Sequence, residues 1–312
     1  MAVTNLTGSG TQRKTVQEAH CSHSLEGGLQ QHLYYLSAVN IFLSIGAFLG
    51  NSLILVAFRR ESYLHPPSKL LYRCLATTDL LVGLVSQPLT TTYWMSIVYE
   101  HWSLCRYARD AAFITSYALC GVSLSTMTAI SVDRLLALLL GLRYKQIVTL
   151  KRTFFCMGTF WAVNPVAALS YILDHRIVVW YSSLGVPFCL AISVVCYSKI
   201  FHNLNRHHAQ VQDHVEQQLS QPNTLNIARY RKAVYSALWV QLSLVVCYLP
   251  FVIVDVVISR SKIHSSHLAS IREISVSLIY FNSTLNPFLY CWKISEVRQS
   301  VKQTIREAVC CF

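Results

Sequence analysis

Residues 33–58 read LYYLSAVNIFLSIGAFLGNSLILVAF and contain no charged side chain. A helix crosses the hydrocarbon core of a bilayer with about 20 mainly apolar residues. The quoted stretch exceeds that length, and its few polar groups are small and neutral. It therefore predicts a transmembrane helix rather than a segment of a soluble domain.

Six further apolar stretches follow, and we expect each to form a spanning helix. Their predicted bounds are 68–97, 105–139, 151–173, 178–204, 228–258 and 268–292. Very few residues separate the fourth and fifth stretches, so a single re-entrant pair is an alternative there. Pro165 and Pro187 lie inside these two stretches, and membrane helices tolerate proline. The predicted fold class is therefore all-α, a seven-transmembrane helix bundle.

The composition of the 312-residue chain agrees with a membrane protein. Hydrophobic residues make up 53% of it and charged residues 13%, whereas a soluble domain carries about 25% charged residues. The net charge of +12 would indicate nucleic-acid binding in a soluble protein. Basic residues also concentrate in the cytoplasmic loops of membrane proteins, and no basic patch interleaved with aromatic residues lies outside the apolar stretches. We expect a lipid bilayer as partner and no nucleic acid.

The positive charges predict the orientation of the chain. Most of the 26 Lys and Arg residues lie in the loops on the C-terminal side of the spans, which the positive-inside rule places in the cytoplasm. Residues 1–32 are then an extracellular tail, residues 33–292 the membrane domain, and residues 293–312 a cytoplasmic segment of a multi-pass plasma-membrane protein. The tail shows no cleavable signal sequence, and Asn5 begins a glycosylation sequon on it.

The cytoplasmic segment predicts a short eighth helix that lies on the inner leaflet. Its apolar residues recur at helical spacing on one face, namely Ile294, Val297, Val301 and Ile305. Cys310 and Cys311 follow close to the membrane, a position typical of S-palmitoylation. Two unmodified thiols are the alternative.

Cys21 and Cys105 are the only cysteines that the predicted topology places on the oxidising, extracellular side. Disulfides form in that environment, so we expect a bridge from the N-terminal tail to the start of span three. Most other cysteines lie in apolar runs, and no CxxC or Cys/His spacing indicates a metal site.

Several polar groups lie inside the predicted spans, where ionisable groups are costly and mark function by default. Asp79 is placed midway along span two, Ser123 in span three, and Asn282, Ser283 and Asn286 in span seven. One buried carboxylate with neutral oxygen donors from other helices can hold a small cation or a water cluster. The alternative is a polar network that only fastens the helices together.

Asp133 and Arg134 are adjacent opposite charges at the inner end of span three. They are candidates for an ion pair that changes between two states of the protein. The alternative is that these charged side chains at the membrane boundary simply extend toward water.

Short motifs occur in a fixed order, at most one per predicted helix. They are Gly50-Asn51, LATTDLL at 75–81, Asp133-Arg134-Leu135, Trp161, CYLP at 247–250 and NPFLY at 286–290. Each motif alone is weak, but their conjunction is specific. Over residues 50–292 the chain resembles the rhodopsin-like (class A) G-protein-coupled receptors.

This resemblance implies signalling to a heterotrimeric G protein. It implies that Arg134 breaks its ion pair with Asp133 and contacts the G protein in the active state. It also implies that Tyr197 and Tyr290 hold the released arginine side chain in place. Pro250 would kink span six, and Tyr248 stands where most relatives carry tryptophan. The remaining switch residues are Asn286 and Pro287. The polar residues around Asp79 resemble the family's allosteric sodium pocket, and no other cofactor is expected.

The chain also departs from the family pattern. Leu135 replaces a tyrosine and Gly141 a proline, and Pro187 lies farther from Tyr197 than usual. The second extracellular loop is short and lacks cysteine, which is similar to the melanocortin, adenosine, cannabinoid and sphingolipid receptors. The acidic cluster of melanocortin receptors is not reproduced, since those places hold Leu89, Arg109 and Phe113. Ser116 stands where amine receptors carry aspartate, and Tyr280 where opsins carry lysine.

The extracellular ligand is not identified by the sequence. Candidate contacts at the outer ends of the spans are Tyr93, Asp110, Ser116, Tyr117, Cys120, Asp255, Glu273 and Tyr280. The three acidic residues favour a cationic or peptide ligand, unless they pair with Arg109 and Arg272.

Two other functions are alternatives to a receptor. A transporter or channel usually shows internal repeats and broken helices, which are missing. An enzyme needs a catalytic constellation within the spans, and the histidines lie almost wholly in tails and loops.

Overall fold

A computed structural model describes residues 21, 27–60, 65–215, 242–258, 266–293 and 295–310. Asn5, Cys311 and the first part of the predicted span six lie outside these residues, as does the side chain of Cys310. The spans are the helices Gly27–Arg60, Pro66–Val98, Trp102–Leu140, Leu150–Leu169, His175–Val215, Leu242–Ile258 and Ser266–Lys293. A helix from Ser295 to Cys310 follows span seven, and a short helix, Tyr144–Ile147, lies between spans three and four.

The described residues confirm a helical bundle. Within the described part of the chain, four helices are long and apolar enough to cross a membrane, namely Leu29–Arg59, Trp102–Ile147, Leu150–Ile172 and His175–Asn203. Spans four and five are therefore separate helices rather than one re-entrant pair. Span six contributes the shorter apolar helix Leu242–Ile258. Polar residues are buried inside the bundle on spans one to five and on span seven, among them Asn51, Asp79, Ser123, Asn164, Ser193 and Asn282.

Several helices are longer than the sequence predicts. Span one begins at Gly27, and span five runs from His175 to Val215 and includes Pro187 without interruption. Apolar periodicity ends where the helix leaves the membrane, but the hydrogen-bonded backbone continues through polar residues until a breaker occurs. Span three does end at a breaker, because Gly141 has φ +50°, a conformation that favours glycine.

Span two contains a π-helical turn, Val82–Ser86, just before Pro88. Proline lacks a backbone N–H, and π turns often occur where a helix must shift its register. The Ser44 hydroxyl donates to the carbonyl of Gly83 at 2.7 Å. Asn40 Nδ2 donates to the carbonyl of Gln87 at 2.9 Å. Span one thus stabilises the altered register of span two.

Spans one and seven pack closely because small residues face each other. A Cβ atom at Gly50 would lie 2.9 Å from Cγ of Pro287, and one at Gly46 would lie 2.8 Å from Cγ2 of Thr284. Asn51 Nδ2 donates to the carbonyl of Ser283 at 3.1 Å. Close backbone approach at small residues is the usual means of helix association in lipid.

The two ends of the bundle carry different features and are named here the Cys105 end and the Arg134 end. At the Cys105 end, Cys21 and Cys105 form a disulfide with a Cα–Cα distance of 6.0 Å. It packs with Leu33, Trp94 and other buried residues. Near the Arg134 end, Val297 of the last helix is fully buried in the main core, so this helix packs partly on the bundle.

Candidate functional site

A cavity lies between spans three to seven, nearer the Cys105 end. It encloses about 820 Å³, including its open mouth. Of the predicted ligand contacts, it brings together Ser116, Tyr117, Cys120 and Tyr280. Leu124 and Tyr248 line the end nearest Arg134.

Among the described residues, no charged side chain lines this cavity. Its polar groups are mostly engaged with one another. The Tyr280 hydroxyl is hydrogen-bonded to Ser116 at 2.6 Å and to Thr90 at 2.7 Å. The cavity can therefore hold an uncharged, mainly apolar molecule without leaving a buried charge unpaired.

The cavity also extends between spans three, four and five, where the sequence predicted no ligand contact. This extension, named here the branch, is lined by Gly121, Ser125, Asn164, Tyr181 and Gly185. The face of a helix that is turned to protein is hard to tell from the face turned to lipid, because both are apolar. The polar Asn164 in the middle of span four was the available signal.

The three acidic candidates lie outside the lining of the cavity. Asp110 and Glu273 pair with arginines, as the alternative interpretation had it. Arg109 Nη1 lies 3.6 Å from the carboxylate of Asp110, and Arg272 Nη1 lies 3.0 Å from that of Glu273. Trp94, which is fully buried, donates from its indole to Glu273 at 3.0 Å. Asp255 accepts a long hydrogen bond from the Ser183 hydroxyl at 3.4 Å; neither Asp255 nor Tyr93 lines the cavity.

An aromatic layer separates the charged pair at Arg109 from the cavity. The ring of Phe113 stacks on Tyr117 at 4.2 Å and lies 4.5 Å from Tyr171. The Tyr171 hydroxyl accepts from Arg109 at 2.9 Å and donates to Asp110 at 2.8 Å. The Cys105 end of the corner between spans three, four and five is therefore closed by packed rings that a polar network holds in place.

Asp79 is fully buried in the middle of the bundle. Its Oδ1 accepts from the Ser123 hydroxyl at 2.9 Å and its Oδ2 from Nδ2 of Asn286 at 2.7 Å. The side-chain oxygens of Asn282 and Asn286 are buried and have no hydrogen-bond partner among the described residues. A buried carboxylate with amide and hydroxyl oxygens nearby is a donor set that suits a hard cation, so these residues fit a small cation.

Asp133 and Arg134 form an ion pair at the Arg134 end, and two further residues complete it. Arg134 Nη2 also donates to the Ser68 hydroxyl at 2.6 Å. Asp133 Oδ1 accepts from the Tyr144 hydroxyl at 2.6 Å, and Oδ2 accepts from Ser68 at 3.0 Å. Span two and the short helix after span three thus hold the pair. Ser68 and Tyr144 were not predicted from the sequence.

Tyr144 lies outside the spans, and burial raises its pKa to about 12, with a further increase from its hydrogen bond to Asp133. The phenol therefore stays protonated at neutral pH and remains a donor. Arg134 is only partly exposed, and its guanidinium carbon lies 5.9 Å from the ring centre of Tyr72.

The predicted tyrosine partners of Arg134 lie near the same end. Tyr290 is buried, and its ring meets Tyr72 edge-on at 5.3 Å. The Tyr290 hydroxyl has no hydrogen-bond partner among the described residues. Tyr197 packs with Ile200 against Leu135. Neither tyrosine is hydrogen-bonded to Arg134 in this arrangement, which agrees with an arginine still bound to Asp133.

The chain matches a known family over most of its length. The family model described as 7 transmembrane receptor (rhodopsin family) matches residues 50–176 and 168–290. Among curated proteins, the chain is 25% identical to melanocortin receptor 5 of Bos taurus over 280 residues, which covers 86% of this chain and 84% of that protein. It is 26% identical to melanocortin receptor 5 of Homo sapiens over 286 residues, covering 88% and 84%.

Proposed function

Because the chain belongs to the rhodopsin family of seven-transmembrane receptors, we propose that its cavity takes an uncharged, mainly apolar ligand and that occupancy drives nucleotide exchange on a heterotrimeric G protein. The chain is a multi-pass membrane protein with a G-protein-coupled signalling function. The ligand class, the roles of individual residues and the orientation are the proposed part.

The observation that carries the ligand proposal is the uncharged lining of the cavity. A ligand charge placed there would lose its hydration without meeting an opposite charge, which is costly. The acidic residues that favoured a cationic or peptide ligand are either paired with neighbouring arginines or lie outside the lining. Apolar burial instead supplies the affinity.

Signal transfer is proposed to run from the cavity to the Arg134 end. Tyr248 lines the cavity two residues before Pro250 in span six, so a ligand that displaces its ring acts on the helix that the proline is expected to kink. Outward movement of that helix would let the G protein reach Arg134, and release of Asp133 from Arg134 would accompany it. A ligand shifts such an equilibrium only by its differential affinity for the two states.

Asp79, Ser123, Asn282, Ser283 and Asn286 are proposed to hold a sodium ion. The unpartnered side-chain oxygens of Asn282 and Asn286 support this. A bound cation would supply a positive charge to the Asp79 carboxylate. The residues themselves orient that carboxylate through the Ser123 and Asn286 hydrogen bonds.

The Cys105 end is proposed to face the extracellular side, so that residues 1–32 form the outer tail, 33–292 the receptor domain and 293–312 the cytoplasmic segment. The positive charges near the Arg134 end and the oxidising conditions that a Cys21–Cys105 disulfide requires support this orientation. Glycosylation of Asn5 and palmitoylation of Cys310 and Cys311 are proposed on the same basis.

A melanocortin-type ligand is the second candidate, because the matched relatives are melanocortin receptors. The purified receptor in lipid nanodiscs, with a panel of G proteins, distinguishes the two through nucleotide exchange. We expect activation by an organic-phase lipid extract, its loss in Cys120→Trp and its retention in Asp255→Asn. Activation by a melanocortin peptide alone, lost in Asp255→Asn, would contradict the proposal.

A further inference from the structure

We propose that the branch is a separate subsite that receives the hydrocarbon chain of an uncharged lipid directly from the bilayer, between spans four and five. This inference rests on the proposed function for the identity of the main cavity. It adds a place and a route of entry that the receptor family does not by itself imply.

Missing side-chain volume creates the branch. Gly185 supplies no side chain, and Ala168 supplies only a methyl group. At Gly121 the space beside the backbone is already taken by the side chain of Asn164. A Cβ atom at Gly185 would meet nothing within 4 Å. Well-packed interiors contain few voids larger than a water molecule, so space at Gly185 that joins a ligand cavity indicates room for an occupant.

The polar groups of the branch are already engaged. Asn164 is buried; its Nδ2 donates to the carbonyl of Phe160 at 3.0 Å and to the Ser125 hydroxyl at 3.4 Å. The Tyr181 hydroxyl donates to Oδ1 of Asn164 at 3.2 Å, and Ser125 donates to the carbonyl of Gly121 at 2.8 Å. An occupant therefore needs no hydrogen-bonding group here, and a plain hydrocarbon chain fits the chemistry.

The same corner is closed toward the Cys105 end and borders the exposed face of span five. The packed rings of Phe113, Tyr117 and Tyr171 lie on its Cys105 side. Tyr181 lines the branch yet is 39% exposed, and Leu184 next to Gly185 is 68% exposed. Exposed apolar side chains on a spanning helix face lipid. A molecule dissolved in the bilayer thus reaches the branch without crossing the charged residues around Arg109.

Gly158 provides a matched control for the test. It lies in span four, a Cβ atom there would also meet nothing within 4 Å, and it does not line the cavity. Leucine at Gly158 would extend into lipid, whereas leucine at Gly185 would occupy the branch. Both variants should fold, and equal thermal stability of the two checks this.

The test is photolabelling of the receptor in nanodiscs with a monoacylglycerol that carries a diazirine and an alkyne in its acyl chain. We expect labelled peptides from residues 121–125, 164–168 and 181–189. Labelling should be about tenfold lower in Gly185→Leu, because the leucine side chain would occupy the space that the acyl chain needs and adding the chain to a filled site would overpack it. Gly158→Leu should label as the parent does. Equal labelling of Gly185→Leu and the parent, or labelling confined to other peptides, would overturn the proposal.

Labelling does not depend on signalling, so the two proposals fail separately. Labelling of the branch without any nucleotide exchange would count against the proposed function and leave the subsite standing. Lipid-driven exchange that Gly185→Leu leaves unchanged would support the receptor function and remove the branch from the ligand site.

Discussion

Asp133 shows how few atoms hold the Arg134 end in the observed arrangement. Its two carboxylate oxygens accept hydrogen bonds from Arg134, Ser68 and Tyr144, which belong to three different elements. The Asp133–Arg134 pair was predictable because the two residues are adjacent. Ser68 and Tyr144 were not, because their approach depends on how span two and the short helix after Gly141 pack against span three.

Asp133→Asn should raise ligand-free nucleotide exchange. The substitution removes the charge that binds Arg134 but keeps the shape of the side chain. Partly exposed ion pairs contribute up to about 1 kcal/mol, which corresponds to an increase of at most about fivefold. Tyr144→Phe should raise exchange by less, because it removes one neutral donor. Tyr107→Phe, at a side chain that is 80% exposed, is the control and should have no effect.

Asp79→Asn should abolish the response of the receptor to sodium. A cation that binds the folded protein raises its stability by mass action, so sodium should raise the melting temperature of the parent by about 3–6 °C relative to choline. The asparagine variant should melt at one temperature in both salts, while Asp255→Asn should respond as the parent does. A sodium response that persists in Asp79→Asn would place the ion elsewhere.

At the level of helices, the apolar stretches of the sequence predicted the position of the described spans. The sequence did not predict the full length of span five or the π turn of span two. These features depend on contacts between helices, which the sequence of one helix does not show. Ser44 satisfies the carbonyl of Gly83, and such a contact is not visible in the periodicity of either helix. The branch was missed for a related reason, since the apolar residues of a helix do not distinguish lipid from protein as a neighbour, and Asn164 was the one signal in span four.

Gly50→Val should destabilise the receptor at the contact between spans one and seven. The added side chain would collide with the rigid ring of Pro287, whose Cγ lies 2.9 Å from the position of a Cβ atom. Overpacking of this kind costs about 1–3 kcal/mol, so we expect the melting temperature to fall by several degrees. Gly158→Val, with open space around it, should leave it unchanged. Equal melting temperatures for both variants would show that span seven can shift freely.

At the level of the whole molecule, the disulfide joins the N-terminal tail to span three across a sequence separation of 84 residues. Disulfides that close long loops commonly stabilise proteins by about 2–4 kcal/mol. We therefore expect Cys21→Ser to lower the melting temperature and Cys21→Ser with Cys105→Ser to lower it no further. Mass spectrometry of non-reduced peptides should find the two cysteines linked, and two free thiols there would contradict the pairing.

The bundle has an uncharged cavity near the Cys105 end and the ion pair of Arg134 with Asp133 near the other end. The central claim is that this arrangement activates a G protein. The most direct test is nucleotide exchange on a panel of heterotrimeric G proteins by the purified receptor in nanodiscs. We predict exchange above empty nanodiscs for Asp133→Asn and its loss in Asp133→Asn with Arg134→Ala. Exchange equal to that of empty nanodiscs for every variant and every G protein would contradict the account.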